Sequence, residues 1–304
     1  MVGIHCEGGE SMSANLKLIV SMTLFGTIGL FVRQIPLSSS MIALVRAVIG
    51  TLFLLLFLLA KHQKPSWPDI RRNLKTLIFS GTAMGFNWIL LFEAYRYTTV
   101  AIATLCYYFS AIFVIIASPL LLKERLTLFK VSCAVIALLG MILVSGVLDG
   151  GAAGFNPVGA AFGLGAAVLY ASVVLLNKKL KSVESFDTTI SQLAVAAIVL
   201  LPYVLLTEDM SSLTLSPLGL GTLLTVAILH TGVAYAMYFS SLKEIKAQTV
   251  ALVSYLDPIV ALLLSIFVLG EPISVTGIIG AVLVLGAMAS SELLKFPFTT
   301  NMKG

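Results

Sequence analysis

Ten runs of mostly apolar residues, each close to the roughly 20 that a helix needs to cross a hydrocarbon core, fall at about 16–34, 40–60, 74–95, 98–122, 128–147, 157–177, 188–206, 217–240, 247–269 and 273–293. Inside a bilayer every backbone N–H and C=O has to be satisfied within its own segment or in a closed barrel. Runs of this length therefore read as transmembrane helices, here called spans 1 to 10, and the fold class is all-α integral membrane. Charged residues make up only 11% of the 304, against about a quarter in a soluble domain, and the mean hydropathy is +1.04. Little chain is left for a soluble domain, so whatever this protein does happens within or across the bilayer.

The surplus of basic residues is a topology signal and not a nucleic-acid signal. With the N-terminus inside, 16 of the 19 Lys and Arg residues fall on cytoplasmic segments, from Lys17 through the loop bearing Lys61, Lys64, Arg71 and Arg72 to Lys295 and Lys303. Arg33 and Arg96 fall outside and Arg46 within span 2. The positive-inside rule then puts both termini in the cytoplasm, and the membrane is read as the cytoplasmic one. Cysteines 6, 106 and 133 are odd in number and two lie in spans, so no disulfide framework is implied. Residues 1–15 read as a disordered N-terminal segment without a signal peptide, Met12 being an alternative start, and 294–304 as a cytoplasmic tail.

Organisation within the spans is duplicated. Sliding the sequence by 147 residues lays Leu252, Tyr255, Ile259, Ser265, Leu269 and Glu271 over Leu105, Tyr108, Ile112, Ser118, Leu122 and Glu124. Residues 16–149 and 157–293 form two halves of five spans, with the Gly/Ala-rich 149–156 as the seam. Because five is odd, the second half enters the membrane from the opposite side, which makes an inverted repeat about an axis in the membrane plane. Gly81/Gly85 and Gly159/Gly163 are close-packing pairs. Glu124 and Glu271 read as landmarks that stiffen the turn into the next helix.

Chemistry concentrates on a few residues. Asp257 stands mid-span before Pro258, whose missing N–H frees the carbonyl four residues back. A carboxylate there is costly when ionised and cheap when protonated, so Asp257 is either a proton or cation site at a broken helix or a cap of the half-helix that follows. His230, midway along span 8, is either a satisfied interhelical hydrogen bond or a titrating group. Arg46, about 10 Å inside the outer boundary, snorkels outward, neutralises Asp257 or holds a substrate carboxylate; the first two are the readier options. Trp88 and Tyr235 correspond at the 147-residue offset, as do Tyr108 and Tyr255, and with Asn87 nearby they form a polar-aromatic box suited to an amphiphilic or cationic solute. No metal or cofactor motif and no catalytic signature (HExxH, CxxC, Walker loop, GxSxG) occurs.

The aromatic-rich span 3, the end of span 4 at Ser118-Pro119-Leu120 and Lys123-Glu124-Arg125, and the segments HTGVAYAMYFSSL and SYLDPIVALLLSIFVLGEPI resemble the EamA family of the drug/metabolite transporter superfamily. The resemblance spans the whole chain. It implies ten helices in two inverted five-helix repeats, a central cavity lined mainly by spans 1, 3, 4, 6, 8 and 9, and alternating access. Known members export amino acids and other metabolites, and relatives carry choline or sugar-nucleotides. One departure is that Ser110 stands where the second half has Asp257, and Pro119 lies well beyond the position of Pro258, so the two halves are not expected to share ion coupling equally.

The sequence is therefore expected to be no enzyme but a secondary transporter or exporter of a small polar or amphiphilic metabolite (an amino acid, an amine or similar). The expected partners are that solute, the lipid bilayer, protons as a coupling ion and, as an option, a second copy of the chain, with no nucleic acid. The competing expectation is a membrane-embedded enzyme acting on a lipid headgroup, with Asp257, His230 and Arg46 as acid, base and anion clamp.

Overall fold

The computed structural model describes residues 13–122, 127–144, 155–209, 215–242, 244–245, 250 and 253–293. Glu124, the glycine-rich seam, Cys6 and the C-terminal tail lie outside them. Every described span is helical. Span 1 is Ala14–Val32, span 2 Ser39–Ala60, span 3 Leu74–Tyr97, span 5 Leu128–Val144, span 6 Pro157–Asn177, span 7 Ser185–Thr207 and span 10 Val275–Leu293. Span 4 is broken into Val100–Tyr108 and Ser110–Leu122, span 8 runs over Pro217–Leu242 with a wide turn inside it, and span 9 is the short helix Leu256–Phe267. Spans start where a side chain can take over the orphan N–H groups of a first turn. Ser13, Ser38, Thr99, Asn156 and Ser216 each accept from a backbone N–H two or three residues on, and Pro157 and Pro217 occupy first helical positions.

The helices pack with the symmetry of the repeat. Span 3 lies on span 6 and span 8 on span 1; span 3 lies on span 7 and span 8 on span 2; span 1 lies on span 9 and span 6 on span 4. Spans 2 and 7, 4 and 9, and 5 and 10 pair with each other. Exchanging the halves turns each of these contacts into another in the set, or into itself, as a two-fold relation between the halves requires. Spans 5 and 10 close against each other at Gly140 and Gly280, where a Cβ on either glycine would meet the other's carbonyl oxygen.

The two broken spans break at equivalent places. Span 4 tightens at Phe109, whose N–H reaches the Cys106 carbonyl three residues back, and span 9 starts after Tyr255. Pro258 accounts for the break in span 9. In span 4 Pro119 sits ten positions past the break and inside the second helix, so proline does not set the break there; the position shared by the repeats does.

Span 1 supports span 9 through Gly26, where an added Cβ would come within 2.5 Å of the Asp257 carbonyl oxygen and 2.7 Å of the Val260 Cβ. Backbone cannot yield as a flexible side-chain tip can, so Gly26→Ala is expected to cost about 1–3 kcal/mol. A lowered melting temperature in detergent checks this, with Gly221→Ala, where the added methyl meets nothing within 4 Å, as the neutral control.

Candidate functional site

Asp257 sits in the first turn of span 9, half-buried, but it does not cap that helix. The capping position falls on Tyr255 and carries no side-chain cap bond. The Asp257 carboxylate instead accepts a hydrogen bond of 2.8 Å from the Tyr108 hydroxyl of span 4. The same hydroxyl lies 3.5 Å from the Ser254 carbonyl, which is the acceptor that Pro258 leaves without its helical N–H. Tyr108 thus lies against the gap that the proline opens while its single hydroxyl proton goes to Asp257, and its ring is 6.5 Å from that of its repeat counterpart Tyr255.

Arg46 corrects the sequence expectation. It is buried, at 4% exposure, so it does not snorkel outward, and among the described residues no carboxylate oxygen lies within 4.0 Å of it, Asp257 included. Its guanidinium carbon lies 4.1 Å above the Trp88 ring and 5.6 Å from that of Phe92. Nε donates to the Thr231 hydroxyl at 2.6 Å, and that hydroxyl donates on to the Val226 carbonyl at 3.2 Å. The Trp88 face that the aromatic box offered to a solute cation is therefore taken by the protein's own cation.

A wide turn of span 8 makes this arrangement. Over Thr225–Val233 the helix is wound with five-residue hydrogen-bond spacing, an arrangement that recurs at functional sites. Side chains within it reach carbonyls five residues back: Thr231 as described, and His230 through Nδ1 at 3.2 Å from the Thr225 oxygen. His230 is wholly buried, with Nε2 2.8 Å from the Thr27 hydroxyl of span 1 and its ring 5.0 Å from that of Phe31.

Tyr95, Tyr107 and Tyr235 lie close enough to Arg46 to act on its charge, and all three are also within electrostatic reach of Asp257. The same three tyrosines thus lie within reach of both the cation and the acid. Tyr235 is further flanked by Phe25 at 5.2 Å and Phe239 at 5.8 Å. Asn87 is buried beside Trp88. Its Nδ2 donates 2.6 Å to the Ala166 carbonyl of span 6, while its Oδ1 has no partner among the described residues.

A model of the EamA-like transporter family matches residues 12–146 and again 157–291. The chain belongs to that family. Among relatives of this EamA-like chain is the Bacillus subtilis (strain 168) protein named "Uncharacterized transporter YxxF", 28% identical over 283 residues that make up 92% of this chain and 89% of the relative. "Protein PecM" of Dickeya dadantii (strain 3937) is 30% identical over 67% of this chain and 68% of its own. A solved structure, titled "Crystal structure of protein", aligns at a TM-score of 0.64 and 19% identity over 92% of this chain and 98% of that one, a likeness of fold. The EamA-like chain is thus a multi-pass membrane transporter of ten helices.

The sequence reading missed several residues of this EamA-like interior. Tyr95 and Thr231 carry no mark in the sequence that sets them apart from other span residues, Tyr107 stands out only as one of the polar residues of span 4, and a five-residue helical spacing leaves no compositional mark. Glu271 also does more than expected. Besides tying the end of span 9 to the turn through its N–H to the Ser265 carbonyl and its carboxylate to the Ser265 hydroxyl, it ion-pairs with Arg33 of span 1 and accepts from the Val100 N–H at the start of span 4 at 2.9 Å. Arg33 in turn donates at 2.7 Å to the Tyr95 and Thr98 carbonyls at the end of span 3. Four spans are tied at this node. Beside it opens a cavity of about 390 Å³ bordered by Arg33, Gln34, Ser39, Tyr95 and Arg96.

Proposed function

We propose that this EamA-like transporter is a secondary carrier or exporter of a small polar or amphiphilic metabolite across the cytoplasmic membrane, working by alternating access, with Asp257 as the site of the coupling proton. The observation that carries the reading is the half-buried Asp257 carboxylate at the break of span 9, held by a tyrosine hydroxyl from the equivalent break of span 4. A mid-membrane acid is a functional site by default because ionising it there is expensive. Tyr108 can serve it in both states, as donor to the carboxylate and as acceptor from the acid. Both participants lie at helix breaks, the elements that let a carrier change shape without unravelling a span.

The reading is tested by counterflow in proteoliposomes with a radiolabelled metabolite panel. A carrier exchanges unchanged solute across the bilayer; an enzyme acting on a headgroup returns it chemically altered, which would retire the proposal. The orientation has its own expected result. In a cysteine-free background, Thr207→Cys should react with an impermeant maleimide from outside intact cells and Lys64→Cys should not. Reversed labelling would invert the topology on which the direction of transport is defined.

A further inference from the structure

We propose that the solute carries a carboxylate and that Arg46 is the residue that binds it, the transported anion supplying the counter-charge that the protein withholds; this rests on the carrier reading above. Three observations lead there. The first is that a buried cation is expensive unless paired, and Arg46 is buried with no carboxylate within 4.0 Å among the described residues. The second is geometric. Nε is the guanidinium nitrogen that donates to a described residue, to Thr231, and the guanidinium carbon sits 4.1 Å over the Trp88 ring; the two Nη groups are left as a fork of donors, the shape that fits a carboxylate in two hydrogen bonds. The third is the setting. The hydroxyls of Tyr107 and Tyr235 lie within electrostatic reach of Arg46 and can hydrogen-bond a ligand without displacing its carboxylate from the arginine.

The Thr231 bond and the Trp88 contact tie spans 2, 8 and 3 together, yet neither supplies a counter-charge. A structural arginine in a membrane interior is normally matched by an acid, and Asp257 is spent on Tyr108 at 2.8 Å. Cationic solutes are disfavoured twice over, by repulsion from Arg46 and by loss of the Trp88 face to it. The aromatic walls leave the remainder of the solute free to be apolar.

The chain contains two tryptophans, and Trp67 is 72% exposed. Trp67→Phe therefore leaves Trp88 as the sole emitter, directly under Arg46. Propionate and 3-phenylpropionate, each with its amide and amine, are titrated against this variant in proteoliposomes. The expected result is saturable change in Trp88 emission by at least one carboxylate, with its amide and amine weaker by about tenfold or more, as for loss of a charge-assisted hydrogen-bonded pair. Arg46→Gln should abolish the preference, and Arg46→Lys should retain part of it because charge remains without the fork. Should Arg46→Gln fail to fold, the Lys variant and the wild-type carboxylate-to-amide ratio still decide. Equal response to carboxylate and amide, an unchanged preference in Arg46→Gln, or no response to any carboxylate at millimolar concentration overturns the proposal. Counterflow of an uncharged or cationic solute by the same vesicles would leave the carrier reading standing and this one lost; carboxylate binding without counterflow would do the reverse.

Discussion

Asp257→Asn is expected to abolish accumulation of solute driven by a pH gradient, by tenfold or more, while exchange at symmetric pH survives in part. Asparagine has the shape of the neutral acid and still accepts from the Tyr108 hydroxyl through its amide oxygen, so the break in span 9 keeps its closing bond. What it lacks is a proton to give up. A carrier that cycles with Asp257 alternately charged and neutral is then held in its neutral form, and the gradient has nothing to act on. Tyr108→Phe isolates the other member of the pair. It removes the donor, leaves the acid and should slow both modes alike, since the loss falls on structure at the break and not on the proton itself. Gradient-driven uptake unchanged in Asp257→Asn would remove the proton from the mechanism and leave a facilitator.

The second large effect is on stability. Glu271→Gln is expected to lower folded stability by about 2–3 kcal/mol, the range for loss of charge-assisted hydrogen bonds at a buried acceptor. Glu271 is 8% exposed at its side chain and answers three donors from spans 1, 4 and 9. Arg33 is 30% exposed, so its own truncation should cost less, because water can take up part of what it loses. The two substitutions share a partner and are not expected to add: the double variant should fall short of the sum by about 1 kcal/mol or more. Melting temperatures of the four proteins in one detergent measure this, and strict additivity would mean that the ion pair contributes nothing beyond its separate contacts.

Fold and site were legible in the sequence to different depths, for physical reasons. Hydropathy places spans because lipid tolerates so little polar surface, and each of the ten runs is helical over most of its described residues. The break in span 4 was invisible, since Phe109 differs in no obvious way from its neighbours and a proline flag pointed instead to Pro119. Asp257 and Arg46 stood out because charge in a span is rare. Their pairing did not follow from rarity: opposite charges in one interior suggested a mutual ion pair, whereas Asp257 takes a tyrosine and Arg46 a tryptophan face and a threonine. Side-chain partners depend on which helix faces lie opposite each other, and a single sequence leaves that open. Thr231 is the clearest case, reaching Arg46 only because span 8 is wound wide over Thr225–Val233.

The two-fold packing has a consequence for where the carrier rests. On the alternating-access reading proposed above, swapping the shapes of two like-packed halves would convert an opening on one face into a similar opening on the other, so the shared framework would favour neither. At the 147-residue offset Asp257 faces Ser110, His230 faces Ala83 and Arg46 faces Leu193. The ionisable residues of the interior are therefore single copies on a doubled frame. On that reading these side chains and what binds them are the charged part of any inequality between the two facing states, and a bias of a few kcal/mol would be enough to move most of the population to one of them.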